Sequence, residues 1–351
     1  MRFDVRQTNI AKGVALVLLL WHHLFYNTPE NNTAYSSLMV INGFPVEALI
    51  ADVCKVCVAV FLILSGYGVH KSYVKRIGKS TKKDLRFDLS FTGYRLLSLF
   101  APYWIIYLIF VPLGFLFGKD PIAIYNSNLL EFLKDITGLT YLFDGFEGNT
   151  MNQTWWFMSI IAVFYLGYTL LHRIMDHSPE LVALLILCFS FIPFTLKDYP
   201  VWLFCFALGA YASKRNLFER IESIKLSSFV RIAFCLSIVV LLAFCRLVFF
   251  PFNLHFDFLL GFFVILLSFL GISKIPFLNR VFEELGKKSG EIFMFHTFIY
   301  LYYFHDFFYF FKYPVIILLV LLTVCYFVAW LIQKLMTLSG VDRMLKQLSK
   351  S

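Results

Sequence analysis

Lys12 and His23 stand eleven positions apart in the stretch AKGVALVLLLWHHLFY. On an α-helix, eleven positions are about 16 Å along the axis and only about 20° around it, so both side chains share a face. His22 points roughly 100° away from that face. An imidazole titrates near neutrality and can take up and release a proton in the working pH range. A lysine on the same face offers a cation to an anionic group. The rest of the stretch is apolar, and an ionisable residue at membrane depth is costly unless it faces protein or water. Two readings are open on this pair alone. One is proton chemistry in a cavity; the other is structural, with Lys12 snorkelling to headgroups and His23 bonding to a neighbouring helix.

Composition says what must position them. Of 351 residues 60% are hydrophobic and 15% charged, with 43 phenylalanines. A soluble domain runs near 45–50% apolar and about 25% charged. The excess predicts a polytopic membrane protein, an all-α helical bundle. Ten segments are apolar enough to count as spans, some of them marginal: about 12–27, 50–69, 96–117, 155–171, 181–197, 200–213, 231–250, 257–273, 292–311 and 314–333. The fifth and sixth are short and separated by KDYP, either a tight outer hairpin or one broken element. No internal repeat, low-complexity tract or Pro/Gly-rich linker interrupts the chain. Residues 1–351 therefore read as one membrane domain, with no appended extracytoplasmic domain. The basic N-terminus lacks a small-residue cleavage site, so 12–27 reads as a retained span.

The formal net charge of +9 does not point to nucleic acid, because of where the cations lie. With the N-terminus placed in the cytoplasm, all but six of the 31 Lys and Arg fall on inner segments. The six are Lys55, Lys119, Lys134, Lys197, Arg246 and Lys312. Asp and Glu divide evenly between the sides. Lys/Arg asymmetry with acidic indifference is the positive-inside pattern, which puts both termini in the cytoplasm and the chain in the cell membrane as a multi-pass protein. The basic 69–95 loop then lies against anionic lipid headgroups. Arg246 and Asp257 flank the turn FFPFNLHF and read as a structural pair; Asp144 and Glu147 read as a solvated outer loop, with binding of an outer acceptor as the alternative. FLKDITGLTYLFDGFEGNTMNQ, in that outer loop, reads as a short interfacial helix followed by a polar turn. The seven cysteines show no zinc-ligand pattern, and Cys54 and Cys57 read as two small residues one helical turn apart. No metal is expected.

The ordered motifs of the chain resemble one family. A basic residue, then Gly-Val-Ala, then the first-span histidine at 23 is similar to the acyltransferase-3 family of integral membrane acyltransferases. The rest follow in family order. VAVFLILSGYGV matches the second-span motif at Phe61, Ser65, Gly66 and Tyr67. YRLLSLFAPYW matches the third-span motif through Arg95, Pro102, Tyr103 and Trp104. QTWWFMSII matches through Trp156 and Phe157, LFCFALGAYAS at Phe206 and Gly209, and LGKKSGEIFMFHTFIY at Gly286, Ser289 and His296. Three positions depart from the pattern: Lys12 replaces the usual arginine, His70 and Lys71 replace the usual arginines after the second-span motif, and Gln333 stands where many members carry glutamate.

The resemblance implies acyl transfer from a thioester to a hydroxyl. That reaction needs a base, donors for the tetrahedral oxyanion and cations for the phosphates of the donor. His23 is the candidate base. Lys12, Lys71 and Arg95 are candidate contacts for the phosphates of acetyl-CoA, the implied donor substrate, with no tightly bound cofactor. Ser65, Tyr67, Tyr103 and Trp156 are candidate pocket residues, each with a structural alternative: Ser65-Gly66 as a close helix contact, the aromatics as interfacial anchors. His296 reads as a structural hydrogen-bonding residue. The implied product is an O-acetylated cell-surface polysaccharide or lipid-linked precursor, so the expected partners are membrane lipids, a glycan acceptor and acetyl-CoA, and not nucleic acid. The alternatives are a transporter or flippase for a glycan or acyl group, with His23 as proton relay, and a non-catalytic partner in a glycan-synthesis complex. Against the transporter stands the absence of the inverted repeats common in that class.

Overall fold

The computed structural model describes residues 2–26, 35–78, 84–190, 199–248 and 256–348. Lys197 and most of the turn FFPFNLHF lie outside the described residues. Most of those described are helical, and the strands among them form a single small hairpin, Val40–Ile41 with Phe44–Pro45. In chain order the main helices are α1 (Val5–Phe25), α2 (Val46–Cys54), α3 (Cys57–Ile77), α4 (Leu85–Leu113), α5 (Leu129–Ile136), α6 (Trp156–His177), α7 (Pro179–Ser190), α8 (Tyr199–Arg215), α9 (Ser228–Val248), α10 (Asp257–Leu270), α11 (Pro276–Lys287), α12 (Ser289–Thr297) and α13 (Pro314–Leu338). Among the described residues, seven helical segments are long and apolar enough to cross a membrane: 5–25, 46–77, 85–113, 153–177, 228–248, 257–274 and 314–338. The other three expected spans take different forms. The fifth is described only to residue 190, as α7, and the sixth is the 17-residue α8. The ninth is not one straight helix: α12 passes into a π-helical turn over Phe298–Tyr303 and then a short helix, His305–Tyr309.

Two compact units divide the chain. The first comprises Met1–Thr81 and Leu170–Ser289, the second Lys82–Thr169 and Gly290–Ser351. Small residues draw the first unit together, since helices in lipid associate by close packing more than by hydrophobicity. A Cβ on Gly13 of α1 would stand 2.0 Å from the Phe282 carbonyl oxygen of α11, and one on Gly286 1.8 Å from that of Asn9. The same reciprocity joins α3 to α8, through Gly66 against Phe206 and Gly209 against Ile63. Only glycine allows these backbones to meet. Arg6 strengthens the α1–α11 contact by donating to Glu283 and Asn279, each at 3.0 Å. Asp4 caps α1 by accepting from the Gln7 amide, and the buried Phe3 beside it packs on Tyr67, Phe218 and Phe269.

The second unit is organised around one carboxylate. Asp135, at the end of α5, is 1% exposed. It accepts from the Tyr125 hydroxyl at 2.7 Å, the Thr150 hydroxyl at 2.6 Å and the Met151 amide at 3.0 Å. Its backbone carbonyl accepts from the Tyr103 hydroxyl. Leu129, Leu130 and Leu133 point outward from α5. That inverted arrangement, apolar outside and acidic inside, suits a helix lying at a lipid interface.

Candidate functional site

α1 is unbroken from Val5 to Phe25, so the helical geometry that puts Lys12 and His23 on one face holds. Both side chains are half-buried. His22 turns elsewhere. Its Nδ1 donates to the Ala51 carbonyl of α2 at 2.7 Å. The His22 ring meets that of His23 edge-on, with centroids 5.1 Å apart, and packs on Tyr26 at 4.9 Å.

The site candidates of the first unit carry further contacts. Tyr67 is buried and its hydroxyl donates to the Phe3 carbonyl at 3.1 Å, which fastens the N-terminus to α3. Lys71 donates to Asn216 at 3.1 Å, and its ammonium lies 5.4 Å from the centre of the Tyr67 ring. Ser65 is half-buried beside the close approach at Gly66. His70, next to Lys71, packs 5.5 Å from the ring of His172; His172 in turn lies 3.4 Å from Asp176.

The remaining candidates lie in the second unit. Arg95 donates to the Tyr165 hydroxyl at 2.9 Å and stacks on the same ring at 4.7 Å. Tyr103 is fully buried, bonded to Asp135 and edge-on to Trp155 at 4.9 Å. Trp155 donates to the Met294 carbonyl at 2.8 Å. Trp156 lines an open cleft with Tyr141, Phe146, Thr150 and Gln153, and packs 5.9 Å from both Tyr141 and Phe146. His296 is buried, and its Nδ1 bonds the Ile292 and Phe293 carbonyls of its own helix, in keeping with a structural role. Gln333 donates to Glu291 at 3.1 Å.

Sequence reasoning missed Asp135 and Lys119. Lys119 sits 2.9 Å from the centre of the Tyr302 ring. Burial pushes its amine down to about 7, opposed by the Asp135 charge. Burial pushes the Asp135 carboxyl up to about 6, against the lowering effect of its hydrogen bonds from Met151, Thr150, Tyr125 and Thr140. The polar pair flanking FFPFNLHF was legible: Arg246 of α9 bonds Asp257 of α10, and both are buried. Asp144 is not only solvated, since it pairs with Lys134 at 2.5 Å. Among the described residues no cluster of three or more His, Cys, Asp or Glu has the arrangement to hold a metal ion.

No curated protein and no solved structure matches the chain. A family model described as an acyltransferase domain matches residues 6–334. That match runs from the first turn of α1 to the last turns of α13, and so the chain belongs to the acyltransferase-3 family, whose chemistry is acyl transfer.

Proposed function

We propose that this membrane acyltransferase moves an acetyl group from acetyl-CoA to a hydroxyl of a cell-surface polysaccharide or its lipid-linked precursor. One observation carries the reading: within a chain of this family, α1 presents a lysine and a histidine on one face, about three helical turns apart. His23 takes the proton of the attacking hydroxyl, which otherwise would be a poor nucleophile. Lys12 and Lys71, in the same unit as His23, offer cations to the phosphates of the donor. Ser65 and Tyr67, in the same unit as His23, shape the surroundings of acceptor and acyl group. With both termini in the cytoplasm, Lys12 lies at the inner mouth of α1, where cytoplasmic acetyl-CoA arrives, and His23 lies deeper.

Mass spectrometry of surface glycans from strains with and without the gene tests the acceptor class. The expected difference is the mass of one acetyl group per modified sugar; identical glycans would contradict the proposal. The orientation has its own check. Cysteines placed at the exposed Lys225 and Glu147, in a background lacking the exposed Cys188, are expected to label from the cytoplasmic and outer sides respectively. The reverse pattern would invert the topology.

A further inference from the structure

The apolar run around 50–69 reads as continuous, yet the helix breaks within it. α2 ends at Cys54, Lys55 and Val56 form a turn, and α3 begins at Cys57. Inside the turn the Lys55 amide donates to Asp52 at 3.3 Å and the Val56 amide to Val53 at 3.1 Å, each three residues back instead of four. That shift deprives the Ala51 carbonyl of the helical donor it would otherwise have, and weakens the hold on Asp52. A carbonyl left without a donor in an apolar interior is costly. Two side chains from other helices meet these carbonyls. His22 donates to Ala51 at 2.7 Å, and the Arg246 Nε donates to Asp52 at 3.3 Å.

Arg246 is itself held on two sides. It bonds Asp257 of α10 and lies 3.6 Å from the Asp52 carboxylate. Arg246 and Asp257 are 4% and 1% exposed. An ion pair of this kind is expensive to bury, and an apolar pair of similar volume would join α9 to α10 at less cost. What a guanidinium alone can do is reach two carboxylates and a carbonyl at once, in a fixed plane. The neighbouring peptide is the one that receives His22.

We infer that Arg246 is a positioning residue for the histidine pair: by capping the break between α2 and α3 it holds the Ala51 carbonyl where it fixes His22 as its Nδ1–H tautomer, edge-on to His23. The inference rests on the proposed role of His23 in acyl transfer. A carbonyl can only accept, so the proton of a neutral His22 must sit on Nδ1, and the ring plane is set by that bond. His22 in turn forms one wall against the His23 ring. Without Arg246 the Lys55 amide can return to Ala51, α2 and α3 can join as one helix, and His22 loses its acceptor.

The test combines ¹⁵N NMR of histidine-labelled protein in lipid nanodiscs with steady-state kinetics. The His22 signals are assigned by their loss in His22→Gln. Wild type is expected to show His22 as the Nδ1–H tautomer; an Nε2–H tautomer there overturns the inference with no variant needed. The paired variant Arg246→Gln with Asp257→Asn removes both charges together, so that neither is left buried alone. It is expected to lose the fixed Nδ1–H signal and to lower kcat about tenfold, with the KM for acetyl-CoA little changed. An unchanged tautomer in the paired variant overturns the positioning role, whatever the activity. A changed tautomer with unchanged kcat leaves the geometry standing and overturns the link from the pair to catalysis.

Discussion

Gly66 and Phe206 mark a close crossing of α3 and α8, where a Cβ at position 66 would stand 1.9 Å from the Phe206 carbonyl oxygen. The obstacle is backbone, which cannot rotate aside as a side chain could. Gly66→Ala must therefore push the two helices apart. The expected cost is about 1–3 kcal/mol or more, as for other overpacked cores. Gly68→Ala, two positions along the same helix with nothing within 4 Å, is the control. Thermal unfolding in detergent is expected to show a lowered midpoint for Gly66→Ala alone. Equal midpoints for the two variants would contradict the packing.

How much of this was legible in the sequence differs by feature. Gly13, Gly66, Gly209 and Gly286 stood out as motif positions, but nothing in the linear chain tells that they meet in two reciprocal pairs. Arg246 and Asp257 could be paired in advance because a short turn brings opposite charges in apolar surroundings together. The third member, Asp52, could not, because its contact comes from α2, which is remote in sequence. Asp135 was hidden by an assumption about solvent. Hydropathy assigns the acidic side of a short amphipathic helix to water, whereas α5 turns its leucines outward and its aspartate in. The break at Lys55 and Val56 and the π-helical turn at 298–303 lie in apolar runs whose composition does not distinguish straight helix from interrupted helix.

Lys119 makes stability depend on pH. Burial holds its folded pKa near 7, against an ordinary 10.5. Between those values the unfolded chain binds the proton and the folded chain does not, so stability from this group rises as pH climbs from about 7 to about 10.5. Below about 7 both states are charged and the whole burial cost is felt. The melting midpoint is expected to rise across that window in wild type, and to rise less in Lys119→Met. Parallel slopes for the two proteins would remove Lys119 from the account.

The donor side is tested at the other end of α1. Lys12→Ala is expected to reduce acyl transfer and weaken acetyl-CoA binding, whereas Lys12→Arg keeps the cation and much of the activity. Isothermal titration of acetyl-CoA into the protein in nanodiscs reads binding apart from turnover. Full binding and activity in Lys12→Ala would exclude this residue from the donor site.

The central claim, that acyl transfer depends on the imidazole at 23, has one direct measurement: acetylation of the acceptor by His23→Ala and His22→Ala membranes at matched expression. His23→Ala is expected to lose about a hundredfold or more in turnover, with the protein still inserted. His22→Ala is expected to lose less, since that ring orients its neighbour and takes no proton from the acceptor. Near-normal turnover in His23→Ala would contradict the account, and an inactive His22→Ala beside an active His23→Ala would move the base to the ring that bonds Ala51.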